Sequence, residues 1–214
     1  SRMVADVDLS ATILETAGLE IPNQFVGQSL LGLLSGDADE LDYNRSVFSG
    51  RERHSSSRYK NLSYPQRMMR SGDFLIIWNA RPDLDPAGEA REIVDGELSA
   101  PHSAYYDIDD SMIKRELLAK RDDAYIGPFF HLAVDKRPEW EFFNVKDDPE
   151  SLNDLADDPD HAQVFAEYQK KLSDTLTDTR DPRLVGYGQV WDDYPRTAGP
   201  MRQFSKEEKQ PDLN

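Results

Sequence analysis

The stretch from residue 158 to 178 limits what this chain can fold into more than any other. Asp158-Pro159 opens it, and Val164, Tyr168, Leu172 and Leu176 then recur at every fourth position while Lys170, Lys171, Asp174 and Asp178 fall elsewhere. That spacing predicts the longest helix of the chain, with one apolar face that must be covered by a sheet. Strand candidates for the sheet lie upstream. Met68-Met69-Arg70 and Phe74-Leu75-Ile76-Ile77-Trp78-Asn79 flank a turn at Ser71-Gly72-Asp73, which predicts a hairpin. Ser46-Val47-Phe48-Ser49, Phe129-Phe130-His131-Leu132-Ala133 and Glu139-Trp140-Glu141-Phe142-Phe143-Asn144-Val145 read as further strands. Ile76 and Ile77 are adjacent, so both faces of their strand need cover. The expected fold class is α+β: a small antiparallel sheet packed by a long C-terminal helix.

The remaining segments attach to this frame. Asp8 precedes Leu9, Ile13 and Ala17 at a period of four, and Gly18 follows, so a short helix is expected with Asp8 as its N-cap and glycine at its end. Its apolar stripe needs a cover of its own. Residues 27–34 read as a compact turn with a partly buried leucine cluster, and residues 37–42 as an acidic solvated loop. Residues 80–106 carry Pro82, Pro86, Gly88, Gly96 and Pro101 among mixed charges and read as irregular chain. Asp110 is expected to cap a helix over 111–118. Asp147-Asp148-Pro149 breaks the chain, and Leu152 and Leu155 anchor a short helical turn. Tyr187, Trp191 and Tyr194 suggest a tail laid over another surface, and the charged run from Ser205 is expected to be loosely held.

Charge and motif chemistry exclude more than they assign. The 214 residues carry 25 basic and 41 acidic side chains, a net charge of -16, which argues against a broad nucleic-acid footprint or docking on an anionic membrane. Without cysteine there is no disulfide, thiolate metal site or cysteine nucleophile. No run approaches the roughly 20 apolar residues that span a bilayer, and the first residues do not read as a signal peptide. No glycine loop has phosphate-binding spacing. Histidines 54, 102, 131 and 161 are too dispersed for a metal motif, and the Asp-Asp pairs at 109, 147, 157 and 192 read as caps and solvated loops. Phe129, Phe130, Trp140, Phe142 and Phe143 form an aromatic block, better suited to core packing than to stacking on sugars or bases.

One loop stands against this acidic background. Gly50-Arg51-Glu52-Arg53-His54-Ser55-Ser56-Ser57-Arg58 concentrates cations, with Lys60 just beyond. Guanidinium groups offer a planar fork that fits anionic oxygens, so the loop suits a sulfate or carboxylate; the competing reading is a basic loop paired with the chain's own acids. Ser63-Tyr64-Pro65-Gln66-Arg67 fits a serine, any residue, proline, any residue, arginine pattern, but reads more naturally as the entry to the strand that carries Met68 and Arg70.

Several segments, in order, resemble the C-terminal portion of the alkaline-phosphatase-like sulfatases, especially the branch containing heparan N-sulfatase. These are Asp6-Val7-Asp8-Leu9 to Leu14-Glu15-Thr16-Ala17-Gly18-Leu19, Gly27-Gln28-Ser29-Leu30-Leu31, Gly50-Arg51-Glu52-Arg53-His54, Tyr64-Pro65-Gln66-Arg67-Met68-Met69-Arg70 and Phe74-Leu75-Ile76-Ile77-Trp78-Asn79. Tyr106-Asp107-Ile108-Asp109-Asp110-Ser111, Lys136-Arg137-Pro138 and Glu141-Phe142-Phe143 continue the match. It is strongest from Asp147-Asp148-Pro149-Glu150 through Asn153-Asp154-Leu155-Ala156 to Asp181-Pro182-Arg183. Trp140 and Asn144 stand where the family commonly has acidic residues, Gly72 replaces a basic one, and Ser55-Ser56-Ser57 is untypical.

The resemblance implies a C-terminal subdomain of the sulfatase fold: residues 1–43 closing the large catalytic domain, 44–183 the small α+β domain and 184–214 an extended tail. It implies that calcium and formylglycine belong to an N-terminal domain, on this or a companion chain, so that this chain alone would be inactive. Here it would contribute substrate-binding residues, His54 with Arg53 and Arg58, toward a sulfated carbohydrate, in a periplasmic, extracellular or lysosomal setting. As part of such a protein, the helix face from 9 to 17 would be exposed in this chain. A sulfated-glycan or protein-binding module, or part of a related phosphatase or phosphodiesterase, are the alternatives.

Overall fold

The long amphipathic period is realised as a helix and the alternating runs as strands. The computed structural model describes residues 3–36, 45–54, 58, 59, 62–95 and 97–194. In chain order these form α1 (Asp6–Thr16), α2 (Leu31–Ser35), β1 (Val47–Arg51), β2 (Gln66–Ser71), β3 (Phe74–Asn79), β4 (Arg91–Val94) and β5 (Glu97–Pro101), followed by α3 (Met112–Ala119), α4 (Gly127–Val134), β6 (Trp140–Asn144), α5 (Ala162–Asp178) and α6 (Gln189–Asp193). Strands β1, β2, β3 and β6 make a four-stranded sheet in that order, and β4 and β5 make a two-stranded antiparallel sheet. Gly72, at φ 51°, makes the β2–β3 turn, a conformation that glycine adopts without a Cβ penalty. The fold is α+β, with a small antiparallel sheet and a long C-terminal helix, as the periodicities indicate. No helix among the described residues is long and apolar enough to cross a membrane.

By contacts the chain divides into two compact units, residues 1–49, 68–76 and 142–165 in one and residues 50–67, 77–141 and 166–214 in the other. In the first, Met69, Ile76 and Phe142 are fully buried, and Phe74 stacks on Phe142 with ring centres 5.0 Å apart. Leu155 is buried as expected, its N–H donating to the Phe142 carbonyl at 2.7 Å, while Leu152 is exposed. In the second, Ala87, Tyr105, Phe130 and Val134 form a cluster with Tyr105 edge-on to Phe130. On α5, Leu172 and Leu176 are buried and Val164 and Tyr168 half-buried, so the four-residue stripe is the inward face.

Several local expectations need correction. Residues 129–133 lie in α4, a helix: Pro128 stands in its first turn, Asp123 Oδ1 accepts the Tyr125 and Ile126 N–H groups, and buried Phe130 and Val134 are four apart. Helix α3 is capped by Ser111, whose Oγ accepts the Lys114 N–H at 3.1 Å, while Asp110 pairs with Arg115. The irregular segment 80–106 contains the β4–β5 hairpin, whose register is interrupted by a bulge. Helix α5 starts at Ala162, beyond a turn in which Asp158 receives the N–H of Asp160.

Helix α1 departs most. Its N-cap is Ala5, and Asp8 lies inside the first turn, reaching back to the Ala5 N–H at 2.8 Å. Asp8 and Ala11 are fully buried, whereas Leu9 is 55% and Ile13 67% exposed. The polar side is the anchored one: Asp8 also binds Arg45 through both oxygens, at 2.6 and 2.8 Å, and the Gln28 N–H at 2.9 Å, while Thr12 Oγ1 accepts the Leu30 N–H. The acidic loop at 37–42 and the charged run from residue 205 lie outside the described residues.

Candidate anion-binding site

The basic loop leaves the end of β1 and returns into β2. Tyr64, 1% exposed, is the floor between the two arms: its N–H donates to the Glu52 carbonyl at 2.8 Å, and the Arg51 and Arg58 guanidinium carbons lie 5.4 and 5.2 Å from its ring centre. Two cations against one aromatic ring is favourable because the negative potential of the ring's faces partly offsets their repulsion.

The three residues singled out from sequence have different surroundings. Arg58 is 2% exposed and engaged by the protein: Nε donates to Asp107 Oδ2 at 2.6 Å, and the two Nη groups to the Asp85 and Pro86 carbonyls at 2.5 and 2.6 Å. It braces the site rather than presenting a free fork. His54 is half exposed, with Nδ1 3.8 Å from Asp107 Oδ1, so the carboxylate that holds Arg58 also lies near the imidazole. Arg53 is half-buried and donates to the Trp191 carbonyl at 2.9 Å.

Arg51 belongs to the same group. Its Nη2 reaches the Pro86 carbonyl at 3.4 Å; burial pulls its pKa down, neighbouring Arg58 adds to that, and Asp107 and Tyr64 act against it. Among the described residues neither Arg51 nor Arg53 has a carboxylate partner. Their Nε groups, and the Trp191 indole N–H, are buried donors without an acceptor among the described residues. Such donors cost free energy until an acceptor arrives, about 1–3 kcal/mol each. Ser55, Ser56, Ser57 and Lys60, the rest of the loop's polar set, lie outside the described residues.

Behind the loop lies a charge network that the sequence did not disclose. Glu52 Oε1 accepts Arg67 Nη2 at 2.5 Å, and Oε2 accepts Arg183 Nε and Nη2 at 3.1 and 2.9 Å. Arg67 Nε also donates to Asp181 at 2.6 Å, and Arg183 Nη1 to Asp192 at 3.0 Å. Ser63 Oγ accepts Arg183 Nη2 at 2.8 Å and donates to Asp192. Burial would raise the Asp192 pKa, but Arg183 and Ser63 outweigh it and hold the carboxyl below its ordinary value. Ser63 and Arg67, the ends of the Ser-Tyr-Pro-Gln-Arg pattern, are therefore both members of this network. The Asp-Pro-Arg run at 181–183 was its other visible sequence trace.

The other candidates scatter. Asp110 pairs with Arg115, Asp147 accepts from the Asn144 side chain, and Asp158 from His161. His131 pairs with Asp135. Among the described residues no three His, Asp or Glu side chains are grouped to hold a metal ion. Of the aromatic block, Phe130, Phe142 and Phe143 are buried, Trp140 is half-buried and stacks on Trp78 at 6.1 Å, and Phe129 is half exposed.

No protein-family model and no curated protein matches the chain. Solved structures do. A 2-O GAG sulfatase aligns over 94% of this chain and 32% of its own, with 17% identity and a TM-score of 0.50. A protein solved in complex with its substrate D-glucosamine-2-N,6-O-disulfate aligns over 82% of this chain and 25% of its own, at 18% identity and TM-score 0.47. A protein assigned as a sulfatase from Bacteroides thetaiotaomicron gives the same coverages and identity at 0.48. The chain thus spans a quarter to a third of the length of these structures. Its fold is that of a sulfatase subdomain, as the alignment with the 2-O GAG sulfatase shows.

Proposed function

We propose that this chain is the C-terminal part of a sulfatase-type hydrolase acting on sulfate esters or sulfamates of a sulfated carbohydrate, and that it binds the anionic sugar without performing the attack. The observation that carries this reading is the pair Arg51 and Arg53. In a chain of net charge -16 they have, among the described residues, neither a carboxylate partner nor an acceptor for their buried Nε–H groups. A sulfate group supplies several acceptor oxygens and the missing negative charge at once. His54 adds a half-exposed third contact, and Arg58 keeps Asp107 beneath it.

The exposed Leu9 and Ile13 on α1 support a covering surface supplied by a further domain or a companion chain, with residues 1–43 belonging to that larger body. Formylglycine and calcium, where the resemblance implies them, belong to that part; the described residues offer no metal-ligating group of three. No step of hydrolysis is assigned to residues of this chain.

The test is calorimetric titration of the full-length polypeptide with a fully sulfated heparin disaccharide, its desulfated counterpart and a sugar phosphate. Binding of the sulfated sugar alone, weakened about 10- to 100-fold in Arg53→Ala and in Arg51→Ala, is expected from charge-assisted hydrogen bonds. Equal binding of the desulfated sugar, or full affinity in both variants, would overturn the reading. Preference for the sugar phosphate would move the chain to a phosphatase relative.

A further inference from the structure

Glu52 sits between the two arginines to which the anion site is assigned. A carboxylate there is the natural internal counter-ion for Arg51 or Arg53, and if it paired with either the site would be self-neutralised. Both of its oxygens are taken elsewhere: Oε1 by Arg67 and Oε2 by Arg183, the latter through two N–H groups. Arg67 is itself set by Asp181 and by the Arg51 carbonyl, at 2.6 and 3.2 Å.

Arg183 also governs the other side of the loop. Its Nη1 holds Asp192, and the residue before it, Trp191, presents the carbonyl that receives Arg53. The Arg183 side chain is 6% exposed, and Gly188 at the start of α6 packs so close that a Cβ there would lie 2.7 Å from Arg183 Cδ. A planar fork with this many simultaneous acceptors is a task for arginine; a lysine ammonium would serve one or two of them.

We propose that Arg183 is a positioning residue of the anion site: by holding Glu52 it keeps that carboxylate away from Arg51 and Arg53. The proposal rests on the reading of the basic loop as an anion site. It adds how that site stays positive beside its own acidic neighbour.

The measurement is the affinity of the full-length polypeptide for the fully sulfated heparin disaccharide in Arg183→Met, Glu52→Gln and the double variant, with thermal unfolding recorded for each. Arg183→Met releases Glu52 toward Arg53 and lowers affinity about tenfold. Glu52→Gln alone leaves affinity unchanged or raises it. The double variant recovers most of the affinity lost in Arg183→Met although it melts no higher, because the competing charge is gone. A role in stability alone predicts the reverse, a double variant that binds no better than Arg183→Met. That result, or unaltered binding in Arg183→Met, overturns the proposal. If Arg183→Met does not fold, Glu52→Gln decides: a tenfold loss there means Glu52 supports the site rather than threatens it. Failure of the wild-type polypeptide to bind, or indifference to Arg51→Ala and Arg53→Ala, sinks the underlying anion-site reading, a distinct outcome.

Discussion

Asp8 shows how far one buried charge can organise a short helix. It has no exposed surface, yet it accepts from the Ala5 and Gln28 N–H groups and from both ends of the Arg45 fork. Burial alone would raise its pKa; these bonds outweigh burial and bring it from 3.8 to about 2. A folded-state value below the unfolded one means that the stabilisation is complete above pH 4 and lost as pH falls toward 2. At about 1.4 kcal/mol per pKa unit, this comes to about 2 kcal/mol at neutral pH. Asp8→Asn is therefore expected to lose at least that in urea unfolding at pH 7, with the gap from wild type shrinking as the measurement is repeated toward pH 2. Gly27 makes the contact sterically feasible: a Cβ there would lie 2.1 Å from the Val7 carbonyl oxygen, so no other residue lets Gln28 approach Asp8. Gly27→Ala should cost about 1–3 kcal/mol or more, read from the same urea midpoints. From sequence, Asp8 looked like an N-cap because acidic residues favour a helix start wherever they stand in the first turn. Its partners at 28 and 45 are too remote for a local pattern to reveal.

At the scale of elements, what was legible depended on whether the deciding contact was local. Helix α5 followed from its four-residue stripe, and β2, β3 and β6 from their composition and turns, because side-chain period alone fixes which face is buried. Helix α4 was misread as a strand. Phe129-Phe130-His131-Leu132-Ala133 has aromatic, strand-like content, but Gly127-Pro128 ahead of it starts a helix, and Phe130 and Val134 share one face four residues apart. Strand β4 lacked any apolar alternation and was passed over as irregular chain. The helical assignment has a mechanical consequence. Phe130 is 4% exposed against Tyr105, whereas Phe129 is 50% exposed beside Tyr125. Phe130→Ala is expected to destabilise by about 3–5 kcal/mol, and Phe129→Ala by under about 1 kcal/mol, in chemical denaturation of the two variants. Comparable losses would mean that the face of α4 is assigned wrongly.

The whole molecule sets charge against site. The fold class was readable because strand and helix periods are short, but the Glu52 network was not, since the bonds that join residues 52–67 to residues 181–192 span 114 to 131 positions and nothing in either stretch marks the other. Arg51 and Arg53 sit in a chain of net charge -16. A sulfated sugar approaching this chain therefore meets repulsion at long range and attraction only on contact. Dissolved salt separates the two regimes, because its screening length is about 10 Å at 0.1 M and about 30 Å at 0.01 M. Raising salt from about 0.01 to 0.15 M removes most of the repulsion while leaving the half-buried contacts with Arg51 and Arg53 largely intact. The association rate of the sulfated disaccharide with the 214-residue chain should then rise with salt, where a basic glycan-binding surface would show it falling steeply. Stopped-flow mixing across that range, with circular dichroism reporting the fold at each salt concentration, makes the distinction. A rising rate places the attraction in a local, desolvated site; a steep fall would assign it to diffuse surface charge, and the Nε–H groups of Arg51 and Arg53 would then have to answer to some ligand other than an anion.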